Sequence, residues 1–436
     1  MKLSTFQLFF LAAMVVITVG GVLVFANHGG VGGKTTLGKV VIWGTVDEVM
    51  MSNTFRDMKA LNKDFNDVSY VKKNPGTYTD DLVNAMASGK GPDLVILPQD
   101  QMLAFSSKLS IVPFSSVSQQ SFIDSFIDEG QMFLTADGVR AFPFMVDPLV
   151  MYWNRDIFAS AGLPRPPQYW SDLLDITPKI SVTSGGGVQK SAIALGEWNN
   201  VQYAKDIISM LFLQAGDPIL KPGNDPSIKY EVTLGINSTT QLGGAPAVSA
   251  LRFYTEFADP TKTSYSWNNT LPPSQDAFVA GDLGVYLGYS SDYPTLLSRN
   301  PNLNFGVAIM PQVKGGGVRM TFGRMLGLAI PRTASNPNGA ATIAVDLSSQ
   351  KGITTLSTYS TLPPVRRDVS IDTSKNAAAS VFAQSALITK AWLDPGPAKT
   401  DDVFKNMIQS VLSGKSSPQE AVSDASQILS AIVLKL

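Results

Sequence analysis

Asp147 is a lone carboxylate inside an apolar run, Ala141 to Trp153. An ionised acid at the edge of an apolar strand is costly unless something pairs with it. Its partner is either the hydroxyls of a ligand or a cation at a hinge, such as Arg155. A second acid, Asp100, follows Gln99 directly after the apolar stretch Asp93 to Leu97. There it either points into a cleft or caps a helix beginning near Met102. Glu197-Trp198-Asn199-Asn200 sets an indole among polar groups just before a helical stretch, and Tyr289-Ser290-Ser291-Asp292-Tyr293 follows another apolar segment. Arg324, after Gly323, offers a planar fork to a carboxylate or to an anionic ligand. Carboxylates and amides take hydroxyl groups, and flat rings take C–H faces. A cleft for a polyhydroxylated solute needs both kinds close together.

Other chemistries are excluded by composition. The chain has no cysteine, so disulfides, thiolate metal sites, a cysteine nucleophile and a lipid-modified cysteine are all absent. Its one histidine, His28, stands near the apolar N-terminal segment, which leaves no His-based metal centre and no Ser-His-Asp triad. No metal and no cofactor is expected. With 34 basic and 35 acidic residues, the net charge of −1 makes no case for nucleic acid. The 436 residues, 44% of them apolar, suffice for two or three domains with real cores. Asp100 and Asp147 could serve as the acid and base of a glycosidase, but no motif selects that over binding.

These residues need elements to hold them. Leu8 to Phe25 is apolar but for Thr18, Gly20 and Gly21. Its length suits a bilayer-spanning helix better than a signal peptide's shorter apolar region. Residues 1–26 are therefore read as an N-terminal transmembrane anchor, with cleavage after Ala26 as the alternative, and residues 27–36 as a Gly-rich tether. Gly33-Lys34-Thr35 mimics the end of a phosphate loop, but no strand precedes it and the required first glycine falls on His28. Beyond the tether, Lys39 to Gly44, Val68 to Val71 and Asp93 to Leu97 read as strands. Phe55 to Phe65 and Tyr78 to Ser88 read as helices between them. This βαβ alternation predicts an α/β sheet with ligands at the carboxyl ends of its strands. Further on, strands are expected at Gly284 to Gly288, Phe305 to Pro311 and Thr321 to Pro331. Helices are expected at Gln275 to Ala280, Ala340 to Ser348, Val403 to Leu412 and Ser417 to Leu434.

Five segments, in order, resemble the sugar-binding family of extracellular solute-binding proteins of ABC importers, the family that includes maltose-binding protein. They are Lys39 to Gly44; Gly89 to Val95 (GKGPDLV) followed by Pro98-Gln99-Asp100; Ala141 to Leu174, with its "AGLPRPPQYW" turn; Phe278 to Tyr289; and Gly323 to Pro331 (GRMLGLAIP). The resemblance implies a two-lobed periplasmic-binding-protein-like fold of type II that closes about a hinge. One lobe would hold residues 37–146 and 310–350, the other 147–309 and 351–436. It also implies an extracytoplasmic receptor that delivers a small polar solute, a sugar or oligosaccharide, to an ABC permease, without catalysis. A carbohydrate-active enzyme, or a surface sensor or adhesin, are the alternatives. Ligand contacts would come from Thr45, Asp47, Gln99, Asp100, Asp147, Trp198, Asn199, Tyr289, Ser290, Asp292, Arg324 and Trp392. Ser291 stands where the family often has tryptophan.

Overall fold

The computed structural model describes residues 37–184, 187–223, 230–235, 245–316, 318–371 and 378–435. The expected membrane anchor and tether lie outside them, and from Lys39 on the chain forms a unit of its own. No helix among the described residues is long and apolar enough to cross a membrane.

The chain begins as the alternation predicts. Val40–Gly44 pairs in parallel with Val68–Lys72 on one side and with Leu94–Pro98 on the other. The helix between the first two strands starts earlier than expected, at Glu48, because Asp47 caps it by accepting from the Met50 N–H at 2.9 Å. Leu94–Pro98 is buried along nearly all its length, as a strand covered on both faces must be.

The sheet then runs on through the whole unit. Among the described residues it has ten strands, and its centre is a 14-residue strand, Ala141–Asn154. The first half of that strand pairs antiparallel with Thr321–Ala329, and the second half with Leu283–Tyr289 and Phe305–Ala308. Asp147 is thus one residue within a long strand, not the start of a new one.

Two separate apolar cores flank this sheet. One takes most of the chain up to Val146, again from Met325 to Val365, and Ala386; the other takes Leu103, Leu149 to Met310, Phe322, and most of the chain from Ala378 on. On the central strand the change of core falls between Val146 and Leu149, and on its partner between Phe322 and Met325. Those gaps face each other: Arg324 is the cross-strand neighbour of Asp147, and Gly323 of Pro148. Met310 and Phe322 pack in the second core, and Ile353, Leu356 and Val365 in the first. Ile353 and Leu356 stand on a helix that the sequence analysis does not contain, Gln350–Tyr359, which packs across Glu48–Leu61.

Candidate cleft between the two cores

A cavity of about 310 Å³ lies beside the start of Thr321–Ala329, the strand that crosses from one core to the other. From the first core come Gln99 and Asp100, in a short turn at the carboxyl end of Leu94–Pro98. From the second come Trp198, Tyr203, Lys205 and Asp206, with Trp392, Asp394 and Asp401 from the C-terminal part of the chain; Phe322 and Arg324 line it from the crossing strand.

Gln99 is pinned by its own strand neighbours. Its Oε1 accepts from the Met325 N–H at 2.9 Å and its Nε2 donates to the Gly323 carbonyl at 3.4 Å. Asp100 is held differently. It caps no helix, its Oδ1 is shut off from solvent, and that oxygen accepts no hydrogen bond. Burial, reinforced by the nearby Asp394 charge, pushes its carboxyl up to about 6.

Opposite lies the start of the helix Ala204–Gln214. Its cap residue, Tyr203, has φ of 61°, a left-handed conformation that non-glycine residues seldom adopt. Such strain persists where the surroundings over-determine it, and here they do. The Tyr203 hydroxyl donates to Asp292 Oδ1 at 2.9 Å, and its ring packs edge-on against Tyr289, centroids 4.7 Å apart. Arg324 lies over both rings, 4.8 Å and 4.1 Å from their centroids, and its Nη2 meets Asp206 Oδ2 at 2.9 Å. Tyr289 donates to the same Asp206 oxygen at 2.8 Å. Lys205 bridges Asp394 Oδ2 at 2.7 Å and Asp401 Oδ1 at 2.8 Å. Burial works against its charge, but those two carboxylates more than offset it and hold the ammonium pKa above its ordinary value.

Of the residues expected in a site, Gln99, Asp100, Trp198, Arg324 and Trp392 line this cavity. The other seven are placed elsewhere. Asp47 is the exposed helix cap already described, and Thr45 is half-buried at the end of its strand, outside the cavity lining. Asn199 is exposed beside Trp198. Asp147 Oδ1 accepts from Ser290 Oγ at 2.7 Å and from the Ser291 N–H at 3.0 Å. That oxygen ties the central strand to the turn after Leu283–Tyr289, while Arg155 lies over the Trp153 ring. Ser290 and Asp292 are buried in the same framework, and Asp292 Oδ2 accepts from the Tyr286 hydroxyl at 2.7 Å. Tyr289 is fully buried beneath Arg324.

The reading of the sequence missed Tyr203, Lys205, Asp206, Asp394 and Asp401. A signal was there for some of them. Lys205 and Asp206 are the only charges in the otherwise apolar helix Ala204–Gln214, and charges in such a segment ask for partners. No group of three or more potential metal ligands occurs among the described residues.

Residues 54–383 match the family described as bacterial extracellular solute-binding protein. The galactooligosaccharide-binding protein of Bacillus subtilis is 20% identical, over 89% of this chain and 88% of its own. Among solved structures, a cyclo/maltodextrin-binding protein complexed with maltotetraose superimposes with a TM-score of 0.71 at 18% identity, covering 90% of this chain and 96% of that one. An ABC transporter solute-binding protein from Thermotoga lettingae, bound with α-D-tagatose, gives 0.66 at 19%, covering 91% and 100%. These likenesses establish the maltose-binding-protein-like α/β fold. The family match, which spans most of the chain, makes this a binding protein and not an enzyme: it belongs to the bacterial extracellular solute-binding proteins.

Proposed function

We propose that the protein captures a carbohydrate in the cavity between its two cores and delivers it to the permease of an ABC transporter. The observation that carries this reading is the cavity itself: carboxylates and an amide from both sides of the waist stand beside the rings of Trp198, Tyr203 and Trp392. Hydroxyls of a sugar meet Asp100, Asp206 and Arg324, while its C–H faces lie on the rings. Relatives that bind galactooligosaccharide, maltotetraose and tagatose support the same class of solute.

The mechanism is closure. Residues 147–148 and 323–324 belong to neither core and lie side by side on adjacent strands, which suits a hinge that absorbs a small change of dihedral angle. A solute touching both halves favours the closed form by the difference in its affinity for the two forms, and the permease reads that form. The apolar stretch Leu8 to Phe25 anchors the receptor at the membrane, with residues 27–36 as a tether and the binding unit outside the cytoplasm. A thermal-shift screen of the protein against mono- and oligosaccharides tests this. A binding sugar raises the melting temperature in a concentration-dependent way. Stabilisation only by amino acids, peptides or metal ions would refute the carbohydrate assignment.

A further inference from the structure

The cavity walls carry more negative charge than positive. Asp100, Asp206, Asp394 and Asp401 face Lys205 and Arg324. Both cations are already engaged, Lys205 by Asp394 and Asp401, and Arg324 by Asp206. The excess is two charges: one stays with Lys205 and its two carboxylates, and the other is on Asp100, whose enclosed Oδ1 has no hydrogen-bond partner and whose side chain enters no ion pair with a described residue. A carboxylate kept away from water without a donor is costly, and an arriving donor removes that cost. Trp198 and Trp392 stand on the same walls, and the Lys205 ammonium already lies 5.9 Å from the Trp392 ring centroid. Aromatic faces beside carboxylates attract a cation through the ring quadrupole as well as through charge. The same field opposes a phosphate or a sugar acid.

Resting on the carbohydrate reading above, we propose that the solute is an amino sugar, bound with its protonated amine against Asp100 and beside the tryptophan rings. A neutral hydroxyl would answer one lone pair of Asp100 but leave the excess charge of the cavity in place. An ammonium answers the lone pair and halves the excess.

Isothermal titration of the full chain in detergent micelles, near neutral pH, separates the possibilities. The ligands are glucosamine, galactosamine and short glucosamine oligomers, each beside its N-acetylated form and its hydroxyl parent. The expected result is that an amine form binds at least about tenfold tighter than its two neutral counterparts. Asp100→Asn, which keeps the shape and removes the charge, brings that ratio close to one. Its melting temperature should not fall below that of the unaltered protein, since no partner of Asp100 is lost. A neutral sugar bound as tightly as its amine overturns the amino-sugar proposal and leaves the carbohydrate reading standing. A preference that survives Asp100→Asn overturns the part given to Asp100. Failure of every sugar in the panel, charged and neutral alike, overturns both readings.

Discussion

Two acids with perturbed ionisation show how burial and partners divide the roles of similar side chains. Asp100 faces the cavity without a donor, whereas Glu129 is buried behind the strand Thr321–Ala329, beside Thr389. A Cβ at Gly323 would come within 2.3 Å of Glu129 Oε2, so the glycine is what lets that carboxyl in. Burial pushes Glu129 up to about 7, against 4.5 for the free side chain; the Thr389 hydroxyl and, after it, the charge of Lys390, itself held by Asp128, partly counter this. Between those values the native state holds a proton that the unfolded chain has released. Stability therefore falls as pH rises through that window and levels off above it. Glu129→Gln should flatten that limb and raise stability at about pH 8 by roughly 1–3 kcal/mol, read by urea unfolding at about pH 5 and 8. An unchanged slope would show that Glu129 ionises as freely in the folded state as in the unfolded one. At the cavity wall, Trp198→Ala should weaken sugar binding by roughly tenfold, with little change in melting temperature, since an aromatic platform contributes about 0.5–1.5 kcal/mol beyond area burial. Calorimetry that finds the same Kd would return Trp198 to ordinary packing.

Among the elements, the central strand Ala141–Asn154 decides most. It belongs to both cores, and Asp147 sits where it passes from one to the other. The Asp147 carboxylate joins that strand to Ser290 and Ser291, and burial raises its pKa while the two serines and Arg324 pull it back. Asp147→Ala leaves the Ser291 N–H and the Ser290 hydroxyl without their acceptor, which costs about 1–3 kcal/mol. A drop in melting temperature of several degrees is expected, with sugar affinity changed less than by the Trp198 substitution. A variant that melts normally yet binds nothing would make Asp147 a ligand contact after all. The helix Ala204–Gln214 matters in the same way: its strained cap residue, Tyr203, leads into Lys205 and Asp206 at the cavity wall.

On the scale of the whole molecule, the two cores are joined by paired strands, and Leu393 packs against both. Binding that bridges Asp100 on one side and Trp198 on the other should draw the halves together. Small-angle scattering with and without a bound sugar tests this, and a small decrease in radius of gyration is expected on binding. An identical scattering curve at saturating ligand would mean that the cavity is already in its final form.

Much of this architecture was legible in the amino-acid sequence. Apolar strands of period two, helices of period three to four, and Gly and Pro at their ends are local signals, and they located Val40–Gly44, Leu94–Pro98, Leu283–Tyr289 and Thr321–Ala329 to within a few residues. The resemblance in five ordered segments carried the family. Local signals could not say which polar side chain faces the cavity, because that depends on partners far along the chain. The apolar neighbours of Asp147 were visible, while Ser290 and Ser291, which donate to its Oδ1, lie 143 and 144 residues away. Asp100 looked equally able to cap a helix, and only the folded chain leaves it without a donor in the cavity wall. Composition and periodicity settle which segments are buried, since burial follows from a residue's own neighbours. Which buried charge is paired and which is free is settled by three-dimensional proximity alone.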